Sequence, residues 1–350
     1  MRKINFHKAL NHELPEETPL YCTGYPEKEF LANYVRQYKL QMNPRSDIIL
    51  NNKNFSLIAR MGFDAISLWD YRRGKGGYEL DNGLRVDGWG RVYKGKWYQN
   101  DGVFKQKAAL DTWDELHLPK EKKFEELKEF LPQIREMLVP ILSLPGLFEK
   151  TWQSMGLFHF SKYLHNDINY VHQVIAFYAN YIKDLLDKLF AAGARSFLIA
   201  DDCGYKQRTF LSKERYEKLF AKPYKTIIKI IKDHNGKVIL HADGNISDFV
   251  DLFIEWGFDA LQSLEPNAGV DIFSLFEQYT NKICFIGNLD VSTLLSYGKP
   301  QQVKEYVKKV IYTSRIYQSP LIVSPTQQIH TQIDPENIKS MIETTKKSKD

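Results

Sequence analysis

Cysteine is scarce in this chain: Cys22, Cys203 and Cys284 are its only three, far apart and odd in number. That usage argues against a disulfide framework and against a metal centre built from thiolates alone, and it points to a reducing compartment. Long apolar runs are missing too, none approaching the roughly 20 residues that span a bilayer. The opening Met1-Arg-Lys-Ile-Asn-Phe-His-Lys lacks the apolar core of a signal peptide. We therefore read the chain as cytoplasmic, with no membrane partner. No strand is followed by GxGxxG or GxxxxGK[ST], so no nucleotide cofactor is expected. Charge of one sign is not in large excess: 48 Lys and Arg oppose 43 Asp and Glu, a net +5 spread along the chain. The densest basic run, Lys346-Lys347-Ser348-Lys349, is short and terminal, so no nucleic-acid partner is expected either.

What remains is a chain of 350 residues, 43% hydrophobic, able to bury one large core. Short apolar segments at 62–70, 138–148, 195–202, 237–240, 259–266, 283–290 and 321–325 read as strands. Helical patterns alternate with them, among them 120–137, interrupted near Pro132, and a last helix capped by Asp334 with Pro335 at its first position. Such alternation predicts a parallel sheet, and about eight units in one chain favour a closed α/β barrel, the (β/α)8 or TIM fold, as a single domain over 1–350. Residues 1–60 are polar and broken by Pro15, Pro19, Pro26 and Pro44, and read as an N-terminal layer over the barrel. Residues 71–98 hold turn signals at Asp81-Asn-Gly83 and Lys94-Gly-Lys96 and read as a β-meander inserted after the first strand. At a barrel mouth such an insertion is expected to serve as a lid or substrate wall, with a purely structural hairpin as the alternative.

Polar residues recur at the strand ends: Asp70, Asp201, Asp202, His241, Asp243, Glu265, Asn288, Asp290 and Gln327. In a barrel these ends meet at one face, where the chemistry is kept. His241 and Asp243, two residues apart, would point to the same side if the strand continued through them. Alone, that pair is better read as a turn Asp and a His satisfied by backbone; several acids at one mouth would need a cation, a metal or a protonated carboxyl. Phe148 and Trp152 are candidates for a pocket wall or for core aromatics.

Six ordered segments carry a resemblance: Val86-Asp-Gly-Trp-Gly-Arg-Val-Tyr93, Asp201-Asp-Cys-Gly204, Leu211-Ser-Lys-Glu-Arg-Tyr-Glu-Lys-Leu-Phe-Ala-Lys-Pro223, His241-Ala-Asp-Gly-Asn245, Ile286-Gly-Asn-Leu-Asp290 and Asp334-Pro-Glu-Asn337. From about Gly62 to the C-terminus the chain resembles the uroporphyrinogen decarboxylase family, which includes methyltransferases that work with corrinoid proteins and coenzyme M. The resemblance implies a barrel enzyme, with Asp70 matching the acid after the first strand and His330 lying near an expected histidine in the last loop. It also marks departures. The arginine-rich segment that grips a porphyrinogen's carboxylates is absent, Arg45 and Arg60 lying in other contexts, so uroporphyrinogen is not the expected substrate.

Zinc-dependent methyltransferases of this superfamily use His-x-Cys, in some members a later Glu, and a Cys in the last loop. By that resemblance His241 matches, Asp243 stands at the first Cys position, Glu265 at the Glu and Gln327 at the second Cys position. The implied metal set is His241, Asp243 and Glu265, a harder donor set able to hold Zn²⁺ or another divalent ion. The alternative is that the metal is gone and the acids act as general acid or base. The resulting expectation is a methyltransferase acting on a small methylated substrate, with a corrinoid protein or thiol as methyl acceptor. Asp70, Asp201, Asp202 and His241 would be catalytic, and Trp89, Phe148, Trp152, Asn288, Gln327 and His330 would bind substrate. A decarboxylase of another carboxylated substrate, or a tetrapyrrole- or small-ligand-binding barrel without turnover, are the alternatives.

Overall fold

A computed structural model describes residues 2–43, 46–68 and 76–348, the side chains of Arg2 and Asn82 excepted. Eight parallel strands form one continuous sheet: β1 (Tyr21–Cys22), β2 (Ala65–Leu68), β3 (Val139–Pro145), β4 (Ser196–Ala200), β5 (Lys237–Ala242), β6 (Ala260–Ser263), β7 (Cys284–Leu289) and β8 (Leu321–Pro325). The sheet curls until Leu20 bridges Val323, joining the first strand to the last. Strands in such a sheet are covered on both faces, and their residues are correspondingly buried throughout β2, β3, β4, β6, β7 and β8.

Alternation sorts each strand's side chains. In β4, Leu198 and Ala200 join the barrel interior with Ile141, Ile239, Ile286 and Ile322, while Phe197 and Ile199 join the outer layer beneath the helices. The helix Arg2–Leu10 contributes Phe6, Ala9 and Leu10 to the interior cluster. Lys3 bonds the Glu136 carbonyl (2.9 Å) and His12 Nε2 lies 3.0 Å from the Asp259 carbonyl, so this segment plugs the end where β3 and β6 begin. The opposite end is left for loops.

Three features differ from the sequence expectation. Tyr21–Cys22, inside the 1–60 layer, is itself a stave, so the strand read as first is the second by pairing. Two residues are too few to show a hydrophobic period. The helix Glu121–Met137 runs unbroken through Pro132. Pro132 and Lys128 are exposed, so the carbonyl that loses its partner can bond water, while buried Leu127, Leu131 and Ile134 hold both halves on the barrel.

The third concerns the meander, a four-stranded antiparallel sheet of Gly77–Glu79, Leu84–Asp87, Arg91–Lys94 and Trp97–Gly102. It is pegged to the barrel's helices by Trp89, 2% exposed, whose ring meets Tyr178 at 5.8 Å and Tyr181 at 5.0 Å. Arg91 ties it further, pairing with Asp87 (2.7 Å) and donating to Gln153 Oε1 (2.8 Å). Among the described residues, no helix is long and apolar enough to cross a membrane.

Candidate active site

The segments after β3 to β7 converge at the carboxyl-terminal rim around a cavity of about 1020 Å³. Asp202 follows β4, Asp243 follows β5, Glu265 follows β6 and Asp290 follows β7; all four line it. Asp202 and Asp243 of this lining, together with the buried His241, each offer a ligand atom, and these atoms lie within 4.8 Å of one another, a group able to hold a metal ion. His241 Nε2 is 3.5 Å from Asp243 Oδ1.

The orientation of His241 is set from below. Register pairs it with Gln262 on β6, and its Nδ1 hydrogen-bonds the Gln262 Oε1. The Gln262 amide nitrogen donates to the Thr326 carbonyl (2.9 Å) and to Thr23 Oγ1 (3.2 Å), so its oxygen is the end left to accept. Nδ1 therefore carries the proton, and in the neutral ring Nε2 presents its lone pair toward Asp243. Gln262 is fully buried.

Asp243 is held from several sides. Gln327 donates its side-chain amide to Oδ1, and the Asp243 backbone N–H donates to Asp202 Oδ1 (3.1 Å). Burial, then repulsion from Asp202 and Glu265, pushes the Asp243 carboxyl up to about 6, against the opposing pull of His241 and the Gln327 bond. Glu265 is fixed separately, accepting the Gly244 N–H at 2.8 Å, and stands outside the close group of three. In the set named from sequence, His241 and Asp243 thus come together, while Asp202 occupies the place expected of Glu265.

The cavity's outer wall is a short hairpin, Gly204–Tyr205 pairing with Arg208–Thr209. It lies tight against the Asp243 loop: the Asn245 N–H donates to the Lys206 carbonyl (2.8 Å), and a Cβ on Gly204 would lie 2.4 Å from the Asp243 carbonyl. Only glycine permits that approach. Tyr205, Lys206 and Arg208 from this hairpin line the cavity with Trp152, and no residue of the 77–98 meander does.

Other residues named from sequence have different tasks. Asp201 is fully buried and turned away from the cavity; it accepts the N–H groups of Phe148 (3.0 Å) and Glu149 (2.7 Å), and the Tyr224 hydroxyl. It thereby holds the first turn of the helix Leu147–Met155, which carries Glu149 and Trp152 to the cavity. Burial lifts its carboxyl to about 7 despite those three donors. Phe148, 1% exposed, is core, ringed by Phe160, Phe210, Tyr216 and Phe220. Trp89 is the meander's peg and not a cavity wall. Asn288 is fully buried, donating to the Leu264 carbonyl (2.7 Å) and accepting from Tyr306. Leu264 and Asn288 both adopt left-handed backbone, with φ of 58° and 67°, so Asn288 braces the turn leading into Glu265. His330 lies on the last loop with Nδ1 accepting the Gln332 N–H (3.3 Å), away from the cavity lining. Asp70 lies outside the described residues. Arg60 pairs with Asp47 (2.7 Å), which confirms its separate context.

The residues missed from sequence are Gln262, Glu149, Gln153 and the 204–210 segment. Gln262 had a visible signal, an amide between Leu261 and Ser263 inside the strand pattern Ala260-Leu-Gln-Ser; a buried polar side chain there needs partners. The hairpin had none, since its register depends on the backbone contact with Gly244.

A parallel barrel that gathers carboxylates, an imidazole and an open cavity at its carboxyl-terminal rim has the arrangement in which barrel enzymes keep their chemistry. The uroporphyrinogen decarboxylase family model matches residues 150–348, and the chain belongs to that family. A methyltransferase from Methanosarcina mazei shares the fold at a TM-score of 0.68 and 15% identity, over 98% of this chain and 97% of that one. Looser likenesses include an exo-β-1,4-mannosidase from Opitutaceae bacterium strain TAV5 (TM-score 0.46, 10% identity, 95% of this chain and 60% of that one). Another is a 3-keto-D-glucoside 4-epimerase from E. coli (TM-score 0.43, 10% identity, 93% and 96%). Among curated protein sequences no match is found.

Proposed function

We propose that this barrel transfers a methyl group from a small methylated substrate to a thiol, or exchanges it with a corrinoid protein, using a divalent ion held by Asp202, His241 and Asp243. The observation that carries this reading is the tautomer imposed on His241: a buried amide spends its oxygen on Nδ1–H and leaves Nε2 aimed at a carboxylate. Metal-ligating histidines are oriented in this way. Two carboxylates and one imidazole suit Zn²⁺, and also Mn²⁺ or Fe²⁺, with room for a further ligand. Such an ion would lower the pKa of an acceptor thiol.

The chain's own residues supply the rest. Gln262 fixes the imidazole, Gln327 fixes Asp243, and the Gly244 amide fixes Glu265 at the cavity edge. The thiol's proton passes to Glu265, the cavity carboxylate that the ion does not claim. The thiolate sulfur then forms a bond to the methyl carbon as the donor's carbon–heteroatom bond breaks, and the bonding pair leaves with the heteroatom. A uroporphyrinogen substrate is disfavoured, because among the described residues the cations lining the cavity are exposed Lys206 and Arg208 on the hairpin, and not a buried arginine clamp.

Elemental analysis of the purified protein, paired with His241→Ala and Asp243→Ala, tests the assignment. A stoichiometric divalent metal in the parent is expected, lost from both variants together with demethylation of methylcob(III)alamin by a small thiol. Metal retained in full by both variants removes these ligands. Thiol methylation by the metal-free parent removes the ion and leaves the acids to act directly.

A further inference from the structure

We propose that the ring wall of the cavity, Trp152, Phe210 and Tyr205, receives a methylated onium group, an ammonium or sulfonium whose charge is spread over its methyls; this names the donor class for the methyl transfer proposed above and rests on that reading. Phe210 stacks on Trp152 at 5.8 Å with 29° between the planes, and Tyr205 meets Phe210 at 5.3 Å. Tyr98 abuts Trp152 at 5.8 Å, edge on, and steadies the array from the meander side. All three rings line the same cavity as Glu149, Glu265 and Asp290, carboxylates outside the proposed ion-binding set, and Tyr205 is 52% exposed.

Rings and carboxylates in one cavity ask opposite things of most ligands. A neutral apolar ligand would strip water from the carboxylates and give them nothing in return. An anion would face those carboxylates, and the cations lining the cavity among the described residues, Lys206 and Arg208, are exposed at the rim and screened by solvent. A primary ammonium demands hydrogen-bond acceptors that ring faces supply poorly. A methylated onium meets both: it has few or no N–H donors to satisfy, its methyls fit against ring faces, and its charge answers the carboxylates. The hairpin already shows the preference in miniature, the Lys206 ammonium lying 5.5 Å over the Tyr205 ring.

The chemistry balances with no outside redox partner. The acceptor's thiolate forms the new S–CH₃ bond, the C–N⁺ or C–S⁺ bond breaks, and its electron pair departs with a neutral amine or sulfide.

Calorimetric titration of the full chain, as purified and zinc-loaded, with tetramethylammonium, tert-butanol and acetate at matched ionic strength tests the proposal. Tetramethylammonium is expected to bind saturably and about tenfold or more tighter than tert-butanol, the neutral ligand of similar shape. Trp152→Leu and Tyr205→Leu should each weaken it by about fivefold or more at unchanged melting temperature, and Lys206→Ala should not weaken it. Equal binding of tert-butanol, or acetate binding abolished in Lys206→Ala and Arg208→Ala, overturns the proposal. Tetramethylammonium that binds as expected, in a protein that demethylates neither it nor methylcob(III)alamin, upholds the onium site and overturns the methyl-transfer reading instead.

Discussion

Gln262 should be worth more to metal affinity than to stability, and Gln262→Leu separates the two. The wild-type amide makes bonds to His241 Nδ1, to Thr23 Oγ1 and to the Thr326 carbonyl, all buried. Leucine keeps most of the volume and strands those groups. A buried polar group left without a partner costs about 1–3 kcal/mol. The Thr23 hydroxyl keeps its bond to Ser324 Oγ at 2.8 Å, so its share is small, and the Thr326 carbonyl and His241 dominate. Together they predict a loss of about 2–4 kcal/mol in urea denaturation. The imidazole, freed of its acceptor, can take the other tautomer and put a hydrogen on Nε2. Loss of such an orienting partner costs about 10- to 100-fold in metal affinity. Competition with a zinc chelator reads that directly. Gln262→Glu is the control: it still accepts from Nδ1–H while sacrificing the bond to Thr326, so zinc affinity should fall less than in Gln262→Leu although stability falls as well. Affinity within twofold of wild type in Gln262→Leu, in a folded protein, would refute the tautomer argument.

Three further outcomes are expected. Asp201 has a folded-state carboxyl raised to about 7, so between about 4 and 7 the folded chain binds more protons than the unfolded one and this group's contribution to stability falls as pH rises. Asp201→Asn removes the titration, and the wild-type-minus-variant difference in urea stability should decline with pH at up to about 1.4 kcal/mol per unit over that window; a flat difference would contradict it. Zinc affinity should drop as pH is lowered through about 6, because protons compete with the ion for Asp243 and its neighbours, and Asp243→Asn should bind more weakly than wild type above that pH. Trp89→Ala should cost about 3–5 kcal/mol, as for any large buried aromatic. Limited proteolysis at 77–98 should then accelerate in the variant, whereas substrate should leave the wild-type rate unchanged, since the meander does not line the cavity.

The barrel was legible because its period is coarse. Seven of its staves appear in the sequence as apolar runs separated by helices, and parallel topology alone then brings Asp202, Asp243, Glu265 and Asp290 to one rim. Roles within the rim were less legible. Asp201 and Asp202 are adjacent and chemically identical, but successive side chains leave the chain in different directions. One caps a helix beneath the wall while the other reaches the floor. Which does which depends on Gly146, where a Cβ would lie 2.2 Å from that of Asp201 and push the helix start away. Trp89, Phe148 and Asn288 were read toward the cavity for a related reason: composition reveals an aromatic or amide near a strand end, but only packing shows which way it faces.

The departures from a thiolate-rich zinc set become coherent once the contacts are known. Asp243 and Gln327, at the two positions that resemble cysteines in zinc-dependent relatives, are bonded to each other. Gln327 thus spends its amide on orienting a carboxylate, and under the metal reading proposed above a carboxylate with an orienting donor would stand in for one thiolate instead of two. The third close donor comes from another loop, Asp202, whose Oδ1 also accepts the Asp243 N–H. Removing one member of such a coupled set should disturb the others, so Gln327→Cys alone would free Asp243 without recovering the softer set. The paired change Asp243→Cys with Gln327→Cys removes the donor and its acceptor together, leaving no stranded amide. Zinc affinity should therefore fall in the single variant and return, wholly or in part, in the double one; a double variant weaker than the single would mean that these positions do not share one ion.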